Sequence, residues 1–166
     1  MSYKALPYTY GKRTTTQIDS LTGMSIGDTV FNTTSQLLEI YNGILWIDER
    51  SVMFKIDAGE SIAVGNTART LTTGEIEKAS SSDKNSFCGV VARLNSGEPT
   101  HAAVAFAGKI QAVAGQTLVS GQSVVLYTNG TINDDSTPGA SVMGYCMESV
   151  SSGNLAWIAL QTIELY

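Results

Sequence analysis

Apolar residues fall in short runs along the chain, and each run is bounded by Gly, Asn, Ser or Thr. Short runs separated by turn residues every ~8–12 positions are typical of the strands of a β-sandwich or barrel. The segment 14–21 differs, because Thr14 and Gln17 have the spacing of a capping box and predict a single helical turn. The pattern therefore predicts an all-β protein with one short helix.

A hairpin region follows this helical turn. Residues 33–36 form a polar turn between two apolar runs. Asn42 and Gly43 lie between the next two runs, where Asn-Gly is a strong hairpin signal because both central residues of a tight turn need a positive φ. The predicted strands of this region are 29–32, 37–41, 44–47 and 52–56.

The rest of the chain repeats one strand-rich unit, at 58–110 and again at 114–165. The stretch AGESIAVG that begins at Ala58 matches AGQTLVSG at Ala114, an offset of 56 residues. Two copies packed face to face would form a small β-barrel or sandwich and hide most sheet edges. Further landmarks keep the same order at offsets of 54 to 56: Gly74 with Gly130, Gly89 with Gly144, Ser96 with Ser152, and Val104 with Ile158.

Residues 1–13 are predicted to form an extended N-terminal arm. Tyr3, Tyr8 and Tyr10 alternate with small or polar residues around Pro7, which disfavours a helix. Such a segment has too little apolar surface to fold alone, so it either lies on its own domain or reaches a neighbour. The predicted organisation is the arm at 1–13, a helical turn and hairpin region at 14–56, and a duplicated body at 57–166.

Composition excludes several classes of function. Charged residues make up 15% of the chain, the net charge is −5, and no cluster of Lys and Arg occurs, so nucleic-acid binding is not expected. No apolar run reaches the ~18 residues of a membrane span, and the N-terminus lacks a secretory signal. We therefore expect synthesis in a cytoplasm, with no membrane partner.

Few residues point to catalysis. His101 is the only histidine, and no nucleophile motif surrounds it. Cys88 lies in an apolar strand, where an inert buried thiol is the better interpretation, and a disulfide with Cys146 stays open. Asp134 and Asp135 could bind a cation but are also ordinary turn residues. We predict no enzyme, no cofactor and no metal site.

Two tryptophans have different expected roles. Trp157 lies within a strand and is predicted to pack in the core. Trp46 follows a hairpin tip and could anchor an interface, where Trp and Tyr concentrate. The candidate partner-binding residues are Tyr3, Leu6, Tyr8, Tyr10, Lys12, Arg13 and Trp46.

Two stretches resemble structural proteins of phage virions. Residues 14–47, from TTTQIDSLTG through VFNTT and LEIYNG to Trp46, resemble segments of fibre, tail and capsid-accessory proteins. The repeat at 58–165 resembles capsid decoration (cement) proteins in its AGESIAVG opening, in Gly89-Val90, and in the AVAFAGK strand from Ala103. That resemblance implies small β-barrel bodies, usually trimeric, which sit on an expanded icosahedral shell and bridge its subunits.

We therefore expect a capsid decoration protein, a homotrimer that binds the major capsid protein on the outer surface of a virion. The alternative is a head-fibre or tail-associated module that contacts a ligand on the host surface. A hydrolytic virion enzyme is a third possibility, but it lacks a catalytic constellation.

Overall fold

The protein folds into three β-sheets and one short helix. The computed structural model describes residues 7–83, 85–95, 99–135 and 142–161. Within these ranges no helix has the length and apolar character needed to cross a bilayer. The predicted all-β class is confirmed, in its sandwich-like form. The barrel form is wrong for the described residues, because none of the three sheets closes on itself.

The N-terminal sheet has the strand order β1-β2-β3-β4, with one helical turn between β1 and β2. The bounds are β1 Thr9–Arg13, α1 Thr15–Asp19, β2 Thr29–Asn32, β3 Leu37–Tyr41 and β4 Trp46–Ile47.

Two body sheets follow, with orders β5-β9-β8-β6-β7 and β10-β14-β13-β11-β12. The first body sheet contains β5 Ser51–Lys55, β6 Thr67–Thr70, β7 Ile76–Lys78, β8 Phe87–Leu94 and β9 His101–Ala105. The second contains β10 Gly108–Val113, β11 Ser123–Leu126, β12 Ile132–Asp134, β13 Val142–Cys146 and β14 Leu155–Leu160.

The helical turn forms where the sequence predicts it. The Thr14 side chain accepts from the Gln17 backbone N–H, and the Gln17 side chain accepts from the Thr14 backbone N–H, which completes the capping box. Ile18 is fully buried in a small cluster with Val30 and Trp46. The turn therefore covers one face of the N-terminal sheet.

The β3–β4 connection differs from the predicted tight turn. Gly43 has a positive φ but Asn42 does not. Instead, Asn42 Oδ1 accepts from the backbone N–H groups of Ile44 and Leu45, both at 3.0 Å. These bonds hold the two residues in a turn, so β4 begins at Trp46.

The two body sheets have the same topology, since β5 to β9 correspond in order and pairing to β10 to β14. Gly89 and Gly144 occupy equivalent places, and a Cβ at either would collide with a carbonyl oxygen, that of Ala105 or of Ala159. By strand pairing, the two structural copies span residues 51–105 and 108–160. Each copy therefore begins one strand before its Ala-Gly pair, which is Ala58-Gly59 in the first copy and Ala114-Gly115 in the second. The predicted domain bounds remain a prediction.

The body sheets share a core. Val90 and Ala105 of the first sheet are fully buried and pack into the apolar cluster of the second, with Ile158 and Val124. A smaller cluster around Ile76 fills the first copy. Each copy thus completes its packing with the other.

Candidate functional site

The described part of the arm, from Pro7, lies on its own domain. β1 pairs in parallel with β2 as the edge strand of the N-terminal sheet. Asp28 anchors its start, because Oδ1 accepts from the Tyr8 backbone N–H at 2.7 Å and Oδ2 from Ser25 N–H at 2.8 Å. These backbone bonds lower the pKa of the Asp28 carboxyl.

Tyr10 and Trp46 belong to the interior of this sheet. Trp46 is only 4% exposed, beside Ile18 and Val30, and its indole meets the Tyr10 ring edge-on at 6.0 Å. The role of Trp46 as an interface anchor stays a prediction, and in this structure its side chain is buried within its own sheet. The reason is pairing: Trp46 lies opposite Tyr41, and both face the helical turn.

Trp157, predicted to be core, is instead half-buried. Lys109 Nζ lies 4.4 Å from the centre of its ring, a cation–π contact. Both residues line a cleft between the N-terminal sheet and the body, together with Arg50 and Arg93.

The remaining arm residues divide by exposure. Tyr8 is 63% exposed, and Lys12 and Arg13 are exposed on the edge strand. Tyr3 and Leu6 lie outside the described residues. The structure thus leaves Tyr8, Lys12 and Arg13 as accessible members of the predicted partner-binding set.

The outer face of the N-terminal sheet is apolar, a feature that the sequence analysis missed. Phe31, Leu38 and Ile40 are 37%, 49% and 46% exposed. Phe31 lies directly opposite Leu38 across β2 and β3, and Lys12 of β1 pairs with Phe31. Large apolar side chains therefore form a stripe beside a cationic edge. We call this surface the outer apolar face.

The inner face of the same strands carries polar groups. Asn32 and Glu39 are buried, and Asn32 Nδ2 donates to Glu39 Oε1 at 2.6 Å. Arg93 of β8 donates from Nη1 to Glu39 Oε2 at 2.7 Å and lies 3.6 Å from Asp19. Burial raises the pKa of Glu39, and the Arg93 charge partly opposes that rise. The inner face of β2 and β3 is therefore partly polar while their outer face is apolar, which departs from the usual arrangement of apolar residues inside and polar residues outside.

A thiol such as Cys88 needs a nearby base to act as a nucleophile, and His101 lies far from it along the strand register. β8 and β9 pair Val90 with Ala105 and Leu94 with Ala102, so Cys88 and His101 lie at opposite ends. Burial raises the pKa of Cys88 to about 12, which disfavours a thiolate. Cys88 and Cys146 are free thiols. Among the described residues no three side chains gather as a metal site.

Comparison with known proteins finds a similar fold. No protein-family model and no curated protein matches the chain. The crystal structure of the head fibre gp8.5 N base of bacteriophage phi29 superposes with a TM-score of 0.51 at 18% sequence identity. The match covers 69% of this chain and 99% of the phi29 chain. The chain therefore shares the fold of a phage head-fibre base.

Proposed function

We propose that the protein is a non-enzymatic structural component of a phage virion, a decoration or cement protein that binds the outer surface of the head. The observation that carries this proposal is the shared fold with the phi29 head-fibre base over 99% of that chain. The separation of Cys88 from His101 agrees with a role without catalysis. The chain would be synthesised in the host cytoplasm and act on the virion.

The outer apolar face is the proposed contact with the major capsid protein. Leu38 and Ile40 are about half exposed on a sheet face that usually carries polar residues. Lys12 and Arg13 add positive charge at its edge, although the whole chain has a net charge of −5. This face would bury Leu38 and Phe31 against the shell, with the cations on acidic groups at its rim.

Stabilisation of a shell needs contacts with several subunits at once. A homotrimer would present three copies of the outer apolar face, so that modest single contacts hold tightly together. Tyr8, exposed at the start of the edge strand with its ring against Tyr10, would add a further contact.

A second candidate is the base of a head fibre, or a tail-associated module, that supports contact with a host ligand. The description of the phi29 neighbour as a head-fibre base favours it. Both candidates attach to a virion, but only a cement protein must strengthen the shell itself.

Cosedimentation with empty shells of the virus whose genome encodes this chain tests the proposal. The wild-type chain should pellet with shells, and Leu38→Glu should weaken its binding about tenfold or more, since a charge would enter an apolar contact. Val52→Glu is the matched control, because Val52 is 39% exposed on β5, away from this face. Absence of wild-type binding would overturn the proposal.

Shell stability separates the two candidates. A cement protein raises the temperature at which shells disassemble, and the Leu38→Glu variant fails to do so. A fibre base binds without changing that temperature, and the complete fibre binds host cells.

A further inference from the structure

The two copies of the body meet through a hairpin tip. The turn between β11 and β12 carries Gly130, whose carbonyl oxygen accepts from Thr67 N–H at 2.7 Å and whose N–H donates to Ala79 O at 2.8 Å. The side chains of Asn66 and Lys78 lie against Gly130. The tip of the second copy is therefore docked on one end of the β6–β7 hairpin of the first.

A second contact lies beside the docked tip. Val113 N–H donates to Gly65 O at 2.9 Å, and a Cβ on Gly65 would collide with Leu155. Gly65 is buried as a result. The second copy thus covers a defined edge of the first copy, made of residues 65–67 and 78–79.

The duplication gives each of these surfaces a counterpart. When the two copies are aligned by strand register, Gly74 of the first copy is equivalent to Gly130 of the second. In the same alignment Gly121 of the second copy is equivalent to Gly65 of the first. Gly74 and Gly121 are both exposed, and no atom lies within 4 Å of the place of a Cβ at either. We call residues 71–75 the free tip, and we call residues 121–123 with 134–135 the free edge.

These surfaces are complementary and not alike. The docked tip and the covered edge lie at opposite ends of their hairpins, so the copies are arranged head to tail. Any contact that repeats this arrangement leads from the free tip of one chain to the free edge of the next. Such a contact is heterologous and continues to a closed ring or a filament.

We propose that the free tip of one chain docks on the free edge of a second copy of the same chain. Ser123 takes the place of Thr67, and Asp135 N–H donates to Ser123 O at 3.1 Å as Ala79 N–H does to Thr67 O at 2.9 Å. Ser123 N–H then donates to Gly74 O. The counterpart of the other internal bond, from Gly130 N–H to Ala79 O, does not form, because Gly74 N–H already donates to Leu71 O at 3.0 Å. The contact between chains therefore repeats one of the two backbone hydrogen bonds of the internal contact.

Charge complementarity supports this occupant. By register, Lys55 and His101 of the first copy take the places of Val113 and Leu155. On the free edge, Asp134 and Asp135 take the places of Lys78 and Ala79. In the internal contact Val113 and Leu155 lie against Gly65, and Lys78 lies against Gly130. By the same register, the contact between chains would place Lys55 and His101 beside Gly121, and Asp134 beside Gly74. Lys55 already pairs with Glu75 and so neutralises the acidic group of the free tip. A lysine and a histidine of one chain would then share an interface with two aspartates of the other, and opposite charges favour a second copy as the partner.

Sedimentation equilibrium over a range of protein concentrations tests the contact. The wild-type chain should self-associate. Thr72→Glu, at an exposed position of the free tip, and Asp135→Lys, at an exposed position of the free edge, should each raise the dissociation constant about tenfold or more. Each variant keeps one intact surface, so an equimolar mixture should associate although neither variant does so alone.

A backbone variant examines the proposed hydrogen bond. Ser123→Pro removes the N–H donor at the first residue of β11, where a proline is tolerated, and should abolish association. Ser123→Ala keeps the donor and is the matched control. A wild-type monomer at every concentration, or a variant mixture that stays monomeric, would overturn the proposal. Binding to shells is measured separately and does not decide this outcome.

Discussion

Arg93 Nη1 lies 2.7 Å from Glu39 Oε2 and joins the N-terminal sheet to the first body sheet across 54 positions of the chain. The two side chains are only 11% and 8% exposed. A charge removed from such a pair leaves its partner buried and uncompensated. This ion pair therefore connects the outer apolar face to the body that presents it.

Arg93→Met should lower the free energy of unfolding by about 3 kcal/mol. Because Arg93 opposes the rise in the Glu39 pKa, its loss raises that pKa further, and the destabilisation should shrink at acidic pH as Glu39 becomes neutral. Urea unfolding at several pH values measures both effects. Lys55→Met breaks the more exposed Lys55–Glu75 pair and should lower the free energy of unfolding far less, because solvent screens that pair. Equal losses for the two variants would contradict the role of Arg93.

Asp28 should make the N-terminal sheet sensitive to acid. Its pKa is lowered in the folded state, so its contribution is fully present above the ordinary value of about 3.9 and is lost as pH falls through the folded pKa. Asp28→Asn leaves a single side-chain oxygen to accept hydrogen bonds, whereas the two Asp28 oxygens accept from the backbone N–H groups of Tyr8 and Ser25. The variant should be less stable at neutral pH and lose less stability on acidification.

Thermal unfolding at neutral and acidic pH compares Asp28→Asn with the wild type. Glu49→Gln, at an exposed position outside the N-terminal strands and the proposed contact surfaces, serves as the control and should follow the wild-type pH dependence. If the stability of Asp28→Asn fell on acidification as steeply as that of the wild type, Asp28 would not be the source of the acid sensitivity.

Gly89 should tolerate no side chain. Its φ is 142°, and a Cβ would strike the Ala105 carbonyl oxygen on the neighbouring strand, so Gly89→Ala should cost more than about 3 kcal/mol. Gly59 also has a positive φ, 94°, but nothing lies within 4 Å of its Cβ position. Gly59→Ala should cost only about 1–2 kcal/mol. Chemical denaturation measures both, and a similar loss for the two would show that β8 and β9 can separate cheaply.

Local patterns in the sequence predicted much of the fold. The capping box at Thr14 and the strands 29–32 and 37–41 follow from short-range signals that tertiary packing does not override. The strand 108–113 was placed partly in the first copy, because its partner β14 is distant in sequence and only pairing reveals the correct sheet.

The candidate site was harder to predict, because it depends on which face each strand turns outward. The sequence does not show that Leu38 and Ile40 face outward, whereas in the structure the buried network of Asn32, Glu39 and Arg93 lies on the inner side. The same uncertainty affects the two tryptophans, because Trp46 is buried although Trp157 was the one expected in the core, and Trp157 is only half-buried. Side-chain alternation gives the period of a strand but not its inward face.

A cryo-EM reconstruction of the intact virion would show whether the protein decorates the phage head. We predict density on the outer surface of the head that fits the two body sheets, with the outer apolar face of Phe31, Leu38 and Ile40 against the capsid shell. Density for the chain only on the tail, or no density for it anywhere on the virion, would show that it is not a head decoration protein.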